Sequence, residues 1–192
     1  MNLISSFLNS KAVKFPWLYI AILSNFSITI FKTSFDMTPY EMKHLMFLLS
    51  FLVMLVDGTV SPSEIEFNKT FYEKEKQQNA PDFHLVSNEL NRQVNLNGSA
   101  IYAEYFNQLK DLSLPETEKV QLLEIALRAA ESDRKVTESE KELLLQLKTE
   151  LDISQTAFSR TTGTHFQKNA TRSKSFSDFV ESLDLPELDV RE

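Results

Sequence analysis

The sequence contains no cysteine. A disulfide scaffold, a thiolate metal site and a thiol nucleophile are therefore excluded within this chain. Glycine is almost as scarce, with 3 residues in 192, and proline contributes 6. Because Leu, Glu, Lys and Ser are abundant instead, the composition favours helices over a turn-rich sheet protein. The missing cysteine also fits a reducing compartment, and we expect a cytoplasmic protein.

Motifs that mark common catalytic sites are missing as well. The sequence has no Gly-x-Ser-x-Gly, no Gly-x-Gly-x-x-Gly and no P-loop. The three histidines, His44, His84 and His165, lack the paired spacing of a zinc site, and we expect His44 to be structural. Since no nucleophile, base and oxyanion donor come together, we expect a noncatalytic protein, with an enzyme of unknown class as an alternative.

A strongly basic surface is also lacking. The chain has 27 acidic and 20 basic residues, and its net charge is −7. Binding to nucleic-acid phosphates needs clustered Lys and Arg, whereas here they are interspersed with Glu. We therefore expect no nucleic-acid partner.

What the chain does have is one long apolar run. From Leu45 to Val56 only Ser50 is polar, which is typical of a helix that is buried on all sides. At about twelve residues the run is too short to span a bilayer. A capping box at Thr38-Pro39-Tyr40-Glu41 opens it, so a core helix is predicted from about Pro39 to Val56.

An acidic junction follows this helix. Gly58 can take the left-handed conformation that ends a helix, and Ser61 with Glu64 forms a second capping box that starts the next one. Asp57 lies at the negative end of the helix dipole, which is unfavourable by about 0.3–1 kcal/mol for an exposed carboxylate. Asp57 therefore needs a compensating partner.

The remaining helices are predicted from apolar periodicity and their end signals. One spans 82 to about 96 and stops at Asn97-Gly98, and the next has Ser99 as its N-cap. A helix opened by Pro115 leads to a capping box at Thr137-Glu138-Ser139-Glu140, whose helix ends near residue 153. The sequence predicts an all-α bundle of about seven to nine helices.

The two acidic junctions are similar to each other. The stretch Ser132-Asp133-Arg134-Lys135-Val136-Thr137-Glu138-Ser139-Glu140 repeats the order of the first: an apolar helix, an Asp, a Val, a hydroxyl N-cap and a Glu at the third helical position. Such a duplication predicts two related helix-Asp-loop-helix units that bury their apolar faces on each other.

With Asp-Gly-x-Val-Ser-Pro-x-Glu followed by Asp-x-x-Val-Thr-x-x-Glu, the chain resembles the TerB tellurite-resistance domain, which is shared with the amino-terminal region of DjlA-type co-chaperones. The resemblance covers about Thr38 to Ser154. It implies an all-helical bundle with an internal pseudo-twofold repeat, and a role in tellurite and other stress responses or in phage defence. It also implies a module that acts by protein–protein contacts rather than a catalyst.

The resemblance further implies a candidate metal site. Carried over to this chain, it consists of Asp57 and Glu64 from the first junction with Asp133 and Glu140 from the second. Four carboxylates form the hard oxygen site that Ca²⁺ or Mg²⁺ prefers, although no EF-hand is present. The alternative is purely structural, since each Glu closes a capping box and each Asp can accept from nearby backbone donors.

One departure weakens the metal hypothesis for the second junction. Where the family usually has Asp-Gly, this chain has Asp133-Arg134, followed by Lys135. Two cations beside a carboxylate can neutralise it directly.

Residues 1–36 form an apolar amino-terminal extension. Between Lys14 and Lys32 the chain is uncharged, but the stretch is short for a bilayer span and is diluted by polar residues. It fits an extra helix or strand packed on the domain, a membrane anchor at residues 15–31, or an export signal that lacks a small-x-small cleavage site. A membrane-tethered scaffold or sensor is therefore the main alternative to the module proposed above.

The predicted helical domain covers residues 37–158, and a polar tail with a linker-like composition covers 159–192. Within the tail, residues 175–185 predict a short amphipathic helix, because four apolar residues follow helical spacing: Phe176, Phe179, Val180 and Leu183. They form either a docking peptide for a protein partner or a tail clamped on its own domain.

Overall fold

The computed structural model describes residues 38–76, 80–166 and 174–189, except the side chains of residues 164 and 165. The predicted extension of residues 1–36, with its apolar stretch at 15–31, lies outside them. The described ranges contain eight α-helices and a 3-10 helix and no strand, which confirms the all-α class. They are α1 (Pro39–Leu55), α2 (Pro62–Glu75), α3 (Phe83–Asn97), α4 (Ala100–Asp111), α5 (Glu116–Ala130), α6 (Glu138–Glu150), α7 (Gln155–Thr162), the 3-10 helix (Gly163–Phe166) and α8 (Phe176–Glu181).

Helix α1 is the centre of the bundle. Its predicted capping box is present: Glu41 N donates to Thr38 Oγ1 at 3.2 Å, and Thr38 N donates to Glu41 Oε2 at 2.7 Å. Every residue from Phe47 to Leu55 is buried, and α1 packs against α5 and α2. The other helices are arranged around this apolar core.

The single polar residue of the apolar run joins α1 to α2. Ser50 Oγ lies 2.8 Å from Phe47 O and 2.7 Å from Asn68 Oδ1, so its proton has two acceptors within reach. Asn68 Nδ2 donates to Glu64 O at 3.0 Å. Both side chains are buried, and their polar atoms are hydrogen-bonded as burial requires. This polar pair fixes the position of α2 along α1.

Two buried tyrosines join α4 to α1. Tyr102 Oη donates to Leu52 O at 2.7 Å, and Tyr105 Oη donates to Leu45 O at 2.8 Å.

The predicted capping role of Ser99 at the start of α4 is wrong. The backbone of Ser99 is already helical, and its side chain makes no cap hydrogen bond, because α4 starts directly after Gly98 ends α3.

Helix α7 extends the bundle across the predicted boundary at residue 158. It runs to Thr162, which is buried and donates from Oγ1 to Phe158 O at 2.9 Å. The rings of Phe158 and Phe166 then meet edge to face with their centroids 5.0 Å apart. The packed region therefore reaches Phe166.

Residues 174–189, which we call the strap, lie on the surface of the bundle. The predicted helix at 175–185 is shorter in the structure, where α8 spans Phe176–Glu181 and the chain continues without regular structure to residue 189. All four apolar residues of the predicted amphipathic helix pack against the core, and Phe179 is only 2% exposed. Of the two alternatives for the tail, the structure has it clamped on its own domain.

Across the ranges that the structure describes, none of the helices has the length and apolar character needed to cross a membrane.

Candidate functional site

The two acidic junctions have the same local hydrogen bonds. Asp57 Oδ1 accepts from the backbone N–H and the hydroxyl of Thr59, both at 2.9 Å. In the second junction, Asp133 Oδ1 accepts from Lys135 N at 2.8 Å. Each is an Asx turn, in which the Asp carboxylate accepts from the backbone N–H two residues later, as a backbone carbonyl does in an ordinary turn. The turn supplies the compensating partner that Asp57 requires at the end of α1.

The residue after each Asp has a left-handed backbone. Gly58 has φ +81° and Arg134 has φ +71°. Glycine adopts this conformation freely, whereas another L-residue is disfavoured there by roughly 1–2 kcal/mol. Arg134 thus has the same left-handed conformation as Gly58, the corresponding residue of the first junction.

Both junctions end in a complete capping box. Ser61 N donates to Glu64 Oε2 at 2.7 Å, and Thr137 N donates to Glu140 Oε2 at 2.6 Å. The reciprocal bonds run from the two glutamate N–H groups to the hydroxyls of Ser61 and Thr137. The two glutamates are buried, at 6% and 3% exposed. Capping therefore places one carboxyl group of each junction inside the protein.

The four acidic residues act on one another electrostatically. The pKa of Glu140 is raised to about 7, chiefly by burial and in smaller part by the negative charges of Asp57 and Glu64, while the cap hydrogen bonds oppose the shift. Burial likewise raises the pKa of Glu64, with contributions from Asp57 and Asp133. The charges of the two junctions therefore lie within electrostatic range of each other's buried glutamate. We call these four residues the acidic cluster.

The cations of the second junction do not pair with its carboxylate. Arg134 and Lys135 are exposed, and the ion pairs among the described residues include none between them and Asp133. The sequence predicted that Arg134 and Lys135 neutralise the carboxylate of Asp133 directly. Among the described residues, no ion pair does so.

Carboxylate oxygens are the donors that Ca²⁺ and Mg²⁺ prefer, so the acidic cluster has suitable chemistry. Its geometry is less suitable. Within residues 38–76, 80–166 and 174–189, no three acidic, His or Cys side chains are close enough to hold one ion. In the capping boxes and Asx turns, carboxylate oxygens of these four residues already accept hydrogen bonds from backbone N–H groups. The residues present do not form a ready-made metal site, and the metal role of all four remains a prediction.

Two small cavities lie elsewhere in the described bundle, each of about 20 Å³, or about the volume that one water needs. One is lined in part by Tyr40, Lys43 and His44, and burial lowers the pKa of His44 to about 4. His44 is therefore neutral at physiological pH. The other cavity is mostly apolar and lies between α1, α3 and α4.

The strap crosses the first junction, which the sequence did not predict. A Cβ atom on Gly58 would lie 2.8 Å from the carbonyl oxygen of Asp184. Real Cβ atoms essentially never come so close to another heavy atom. Gly58 is thus required both by its backbone conformation and by the passage of the strap. From the sequence, the position of Gly58 in a turn indicates only the requirement for its backbone conformation.

A family model described as Tellurite resistance protein TerB matches residues 29–162, which is well over half of the chain. No match was found among curated proteins or among solved structures. The matched range contains α1 to α7 and both junctions, and it ends before the strap. The chain therefore belongs to the TerB family of tellurite resistance proteins.

Proposed function

We propose that this chain is a noncatalytic TerB module of a stress response or of phage defence, which acts by protein contacts and responds to a divalent cation at the acidic cluster. The observation that carries the proposal is the raised pKa of Glu140 and of Glu64, to which charges from the opposite junction contribute. A raised pKa means that the ionised carboxyl is destabilised in the folded protein. Burial is the largest cause of that destabilisation, and the charges of the opposite junction add to it, so part of the energetic cost comes from the proximity of the two junctions.

Helix capping accounts for the burial of the two glutamates but not for the part of the cost that comes from the opposite junction. Each capping box is complete within its own junction, so neither requires the other junction to be close. A cation with oxygen ligands would relieve the repulsion by attracting the carboxylates of both junctions, and since no three of them are close enough to hold one ion in this structure, binding would draw the junctions closer together. Ca²⁺ and Mg²⁺ are the candidates, and Asp57, Glu64, Asp133 and Glu140 are the residues that would hold the ion.

Action by protein contacts is supported by apolar side chains that lie in solvent. Ile65 on α2 and both Leu85 and Leu96 on α3 are exposed. Leu85 and Leu96 are eleven residues apart, which is close to three helical turns, so they share one face of α3. Apolar side chains on one exposed helix face can anchor a protein interface when a partner covers them together.

Calorimetric titration of Ca²⁺ and of Mg²⁺ tests the cation. We expect binding heat in the wild type and an affinity at least tenfold weaker in Asp57→Asn, which keeps the acceptor of the Asx turn but removes the charge. The matched control is Asp82→Asn, because Asp82 also accepts from a backbone N–H two residues on, that of His84, but lies outside the acidic cluster. Absence of heat in the wild type, or equal affinity in Asp57→Asn, would contradict cation binding.

A cellular assay tests the stress or defence role. We expect the wild-type chain to raise survival on tellurite or to lower phage plating, and the double variant Asp57→Asn with Asp133→Asn to lose that effect at equal protein level. A wild-type chain that changes neither survival nor plating would contradict the role.

The alternative function is that of a membrane-tethered scaffold or sensor. Such a protein would be anchored through residues 15–31 and would lie at the membrane rather than in the cytoplasm. It rests on the uncharged stretch between Lys14 and Lys32. Fractionation after a high-salt wash separates the two. An anchored chain stays in the membrane pellet and leaves it when residues 15–31 are deleted, whereas a cytoplasmic chain is recovered entirely in the supernatant.

A further inference from the structure

The strap lies against α3, α4 and α6, and we call the surface that it covers the groove. Both ends of the strap are held through its backbone. At residue 174, Lys174 N donates to Glu142 Oε1 at 3.1 Å, and Gln146 Nε2 donates to Lys174 O at 2.9 Å. At the other end, Leu188 N donates to Asn95 Oδ1 at 3.1 Å, and Asn95 Nδ2 donates to Leu188 O at 2.8 Å. Side chains of the domain thus pair with both polar groups of a strap residue at each end.

A further bond strengthens the carboxyl-terminal end. Asn91, one turn before Asn95 on α3, donates from Nδ2 to Asp189 O at 3.0 Å. These contacts do not depend on which side chains the strap carries at those positions. Peptide-binding grooves work in this way, with main-chain hydrogen bonds for affinity and side-chain pockets for specificity.

The specificity of the groove comes from two phenylalanines of the strap. The ring of Phe176 lies 4.8 Å from the ring of Phe106, and Lys110 Nζ lies 5.9 Å from the Phe176 centroid. Phe179 meets Tyr102 edge to face, with the centroids 6.4 Å apart. The preferred occupant is therefore a segment with two phenylalanines three residues apart.

The groove and the strap differ in origin within the chain. All the groove residues lie inside the range that the TerB family model matches, residues 29–162, and the strap lies beyond it. The groove is thus built by the family domain, and its occupant is an appended segment. Because the occupant is tethered, its effective concentration at the groove is on the order of millimolar.

We propose that the groove on α3, α4 and α6 is a peptide-binding site for a Phe-x-x-Phe segment of a partner protein, and that the strap is an internal ligand which keeps it closed. This inference rests on the protein-contact function proposed above and names one of its surfaces. A partner segment binds when it displaces the strap. Displacement also uncovers Gly58, and with it the first acidic junction.

The test measures binding of a fluorescent synthetic peptide with the sequence of residues 174–189 by anisotropy. The full-length variant Phe176→Ser with Phe179→Ser releases the strap and leaves every groove residue intact. We expect it to bind the peptide at least tenfold more tightly than the wild type, because the tethered competitor is gone. The control is Ser177→Ala, an exposed strap residue whose change leaves both phenylalanines in place, and it should bind like the wild type.

Two further peptide measurements complete the test. A peptide with both phenylalanines changed to Ser should not bind, and Asn95→Ala in the released variant should weaken binding at least fivefold. Equal peptide affinity in the wild type and the released variant, or equal binding of the Ser peptide, would overturn the proposal. A wild-type dimer that the released variant converts to a monomer would also overturn it, by assigning the groove to a second copy of the chain.

A cleavable chain covers the case in which the released variant does not fold. A protease site placed within residues 167–173 leaves both groove and strap residues unchanged. After cleavage, excess synthetic peptide should displace the strap fragment, while the Ser peptide should not. A fragment that neither peptide displaces would overturn the proposal. Since a failed peptide test leaves the cation titration unaffected, the two proposals fail independently.

Discussion

Arg134 has the same left-handed backbone as Gly58, with φ +71° against +81°. Each follows an Asp whose carboxylate closes an Asx turn onto the residue two places on. The second junction therefore keeps the glycine geometry without a glycine. The cost of that substitution is measurable.

Replacement of Arg134 by Gly should stabilise the protein. The left-handed conformation costs a non-glycine residue roughly 1–2 kcal/mol, and part of the gain is offset because glycine makes the unfolded chain more flexible. We expect the free energy of unfolding in urea to rise by up to about 1 kcal/mol. Arg134→Ala, which keeps the strained backbone and removes the charge, is the control and should bring no such gain.

Replacement of Gly58 by Ala should be more damaging than Gly98→Ala. Both glycines have positive φ, but a Cβ at Gly98 meets nothing within 4 Å, whereas at Gly58 it meets Asp184 O at 2.8 Å. Gly98→Ala should cost roughly 1–3 kcal/mol for its backbone conformation, and Gly58→Ala more because of the added contact. Only Gly58→Ala should make the strap sensitive to limited proteolysis. Equal losses of stability and equal protease resistance would show that the strap does not constrain residue 58.

Replacement of Glu140 by Gln should stabilise the protein at pH 8 but not at pH 5. The folded pKa of about 7 lies above the ordinary value of 4.5, so the folded state holds the proton more tightly than the unfolded chain. Wild-type stability from this group is therefore complete below pH 4.5 and is lost as the pH rises through 7. Gln keeps the capping box and cannot ionise.

Thermal unfolding of wild type and variant at several pH values checks the Glu140 prediction. The contribution of His44, whose lowered pKa acts in the opposite direction, cancels in the difference between the two proteins. Glu138→Gln is the control, since Glu138 lies on the same turn of α6 but is exposed. A difference between Glu140→Gln and wild type that stays constant from pH 5 to pH 8 would contradict the raised pKa.

Replacement of Tyr102 by Phe should cost more than Tyr105→Phe. Tyr102 donates to Leu52 O, one of the last four carbonyls of α1, which have no intrahelical donor. Tyr105 donates to Leu45 O in the helix interior, where the helix supplies a donor. We expect about 1–3 kcal/mol for Tyr102→Phe and about 1 kcal/mol or less for Tyr105→Phe, measured by urea unfolding. The reverse order would show that the end of α1 does not depend on Tyr102.

Local features of the fold could be predicted well. The capping boxes at Thr38, Ser61 and Thr137 are each formed within four consecutive residues, so their side chains and donors are set by the sequence alone. The buried character of α1 follows from its apolar run. Ser99 shows the limit of such rules, because the tight turn at Gly98 leaves no extended residue to act as a cap.

The metal role of the acidic cluster stays a prediction. Its four members follow from the repeated junction, and the fold brings their charges within range of one another. The function of Asp57 as the acceptor of an Asx turn is also local. What the repeat could not give is the geometry between the junctions, because it depends on how α1, α2, α5 and α6 pack.

The sequence by itself determined the helices, their caps and the two acidic junctions, because each arises from residues within one or two turns of each other. Only the tertiary structure decided what the strap does. Asn95 and Leu188 are 93 positions apart in the sequence, yet two reciprocal hydrogen bonds join them. No periodicity relates such distant residues, since their contact depends on the path of the whole chain. That path places Asp184 over Gly58, so the same glycine that ends α1 also leaves room for the strap.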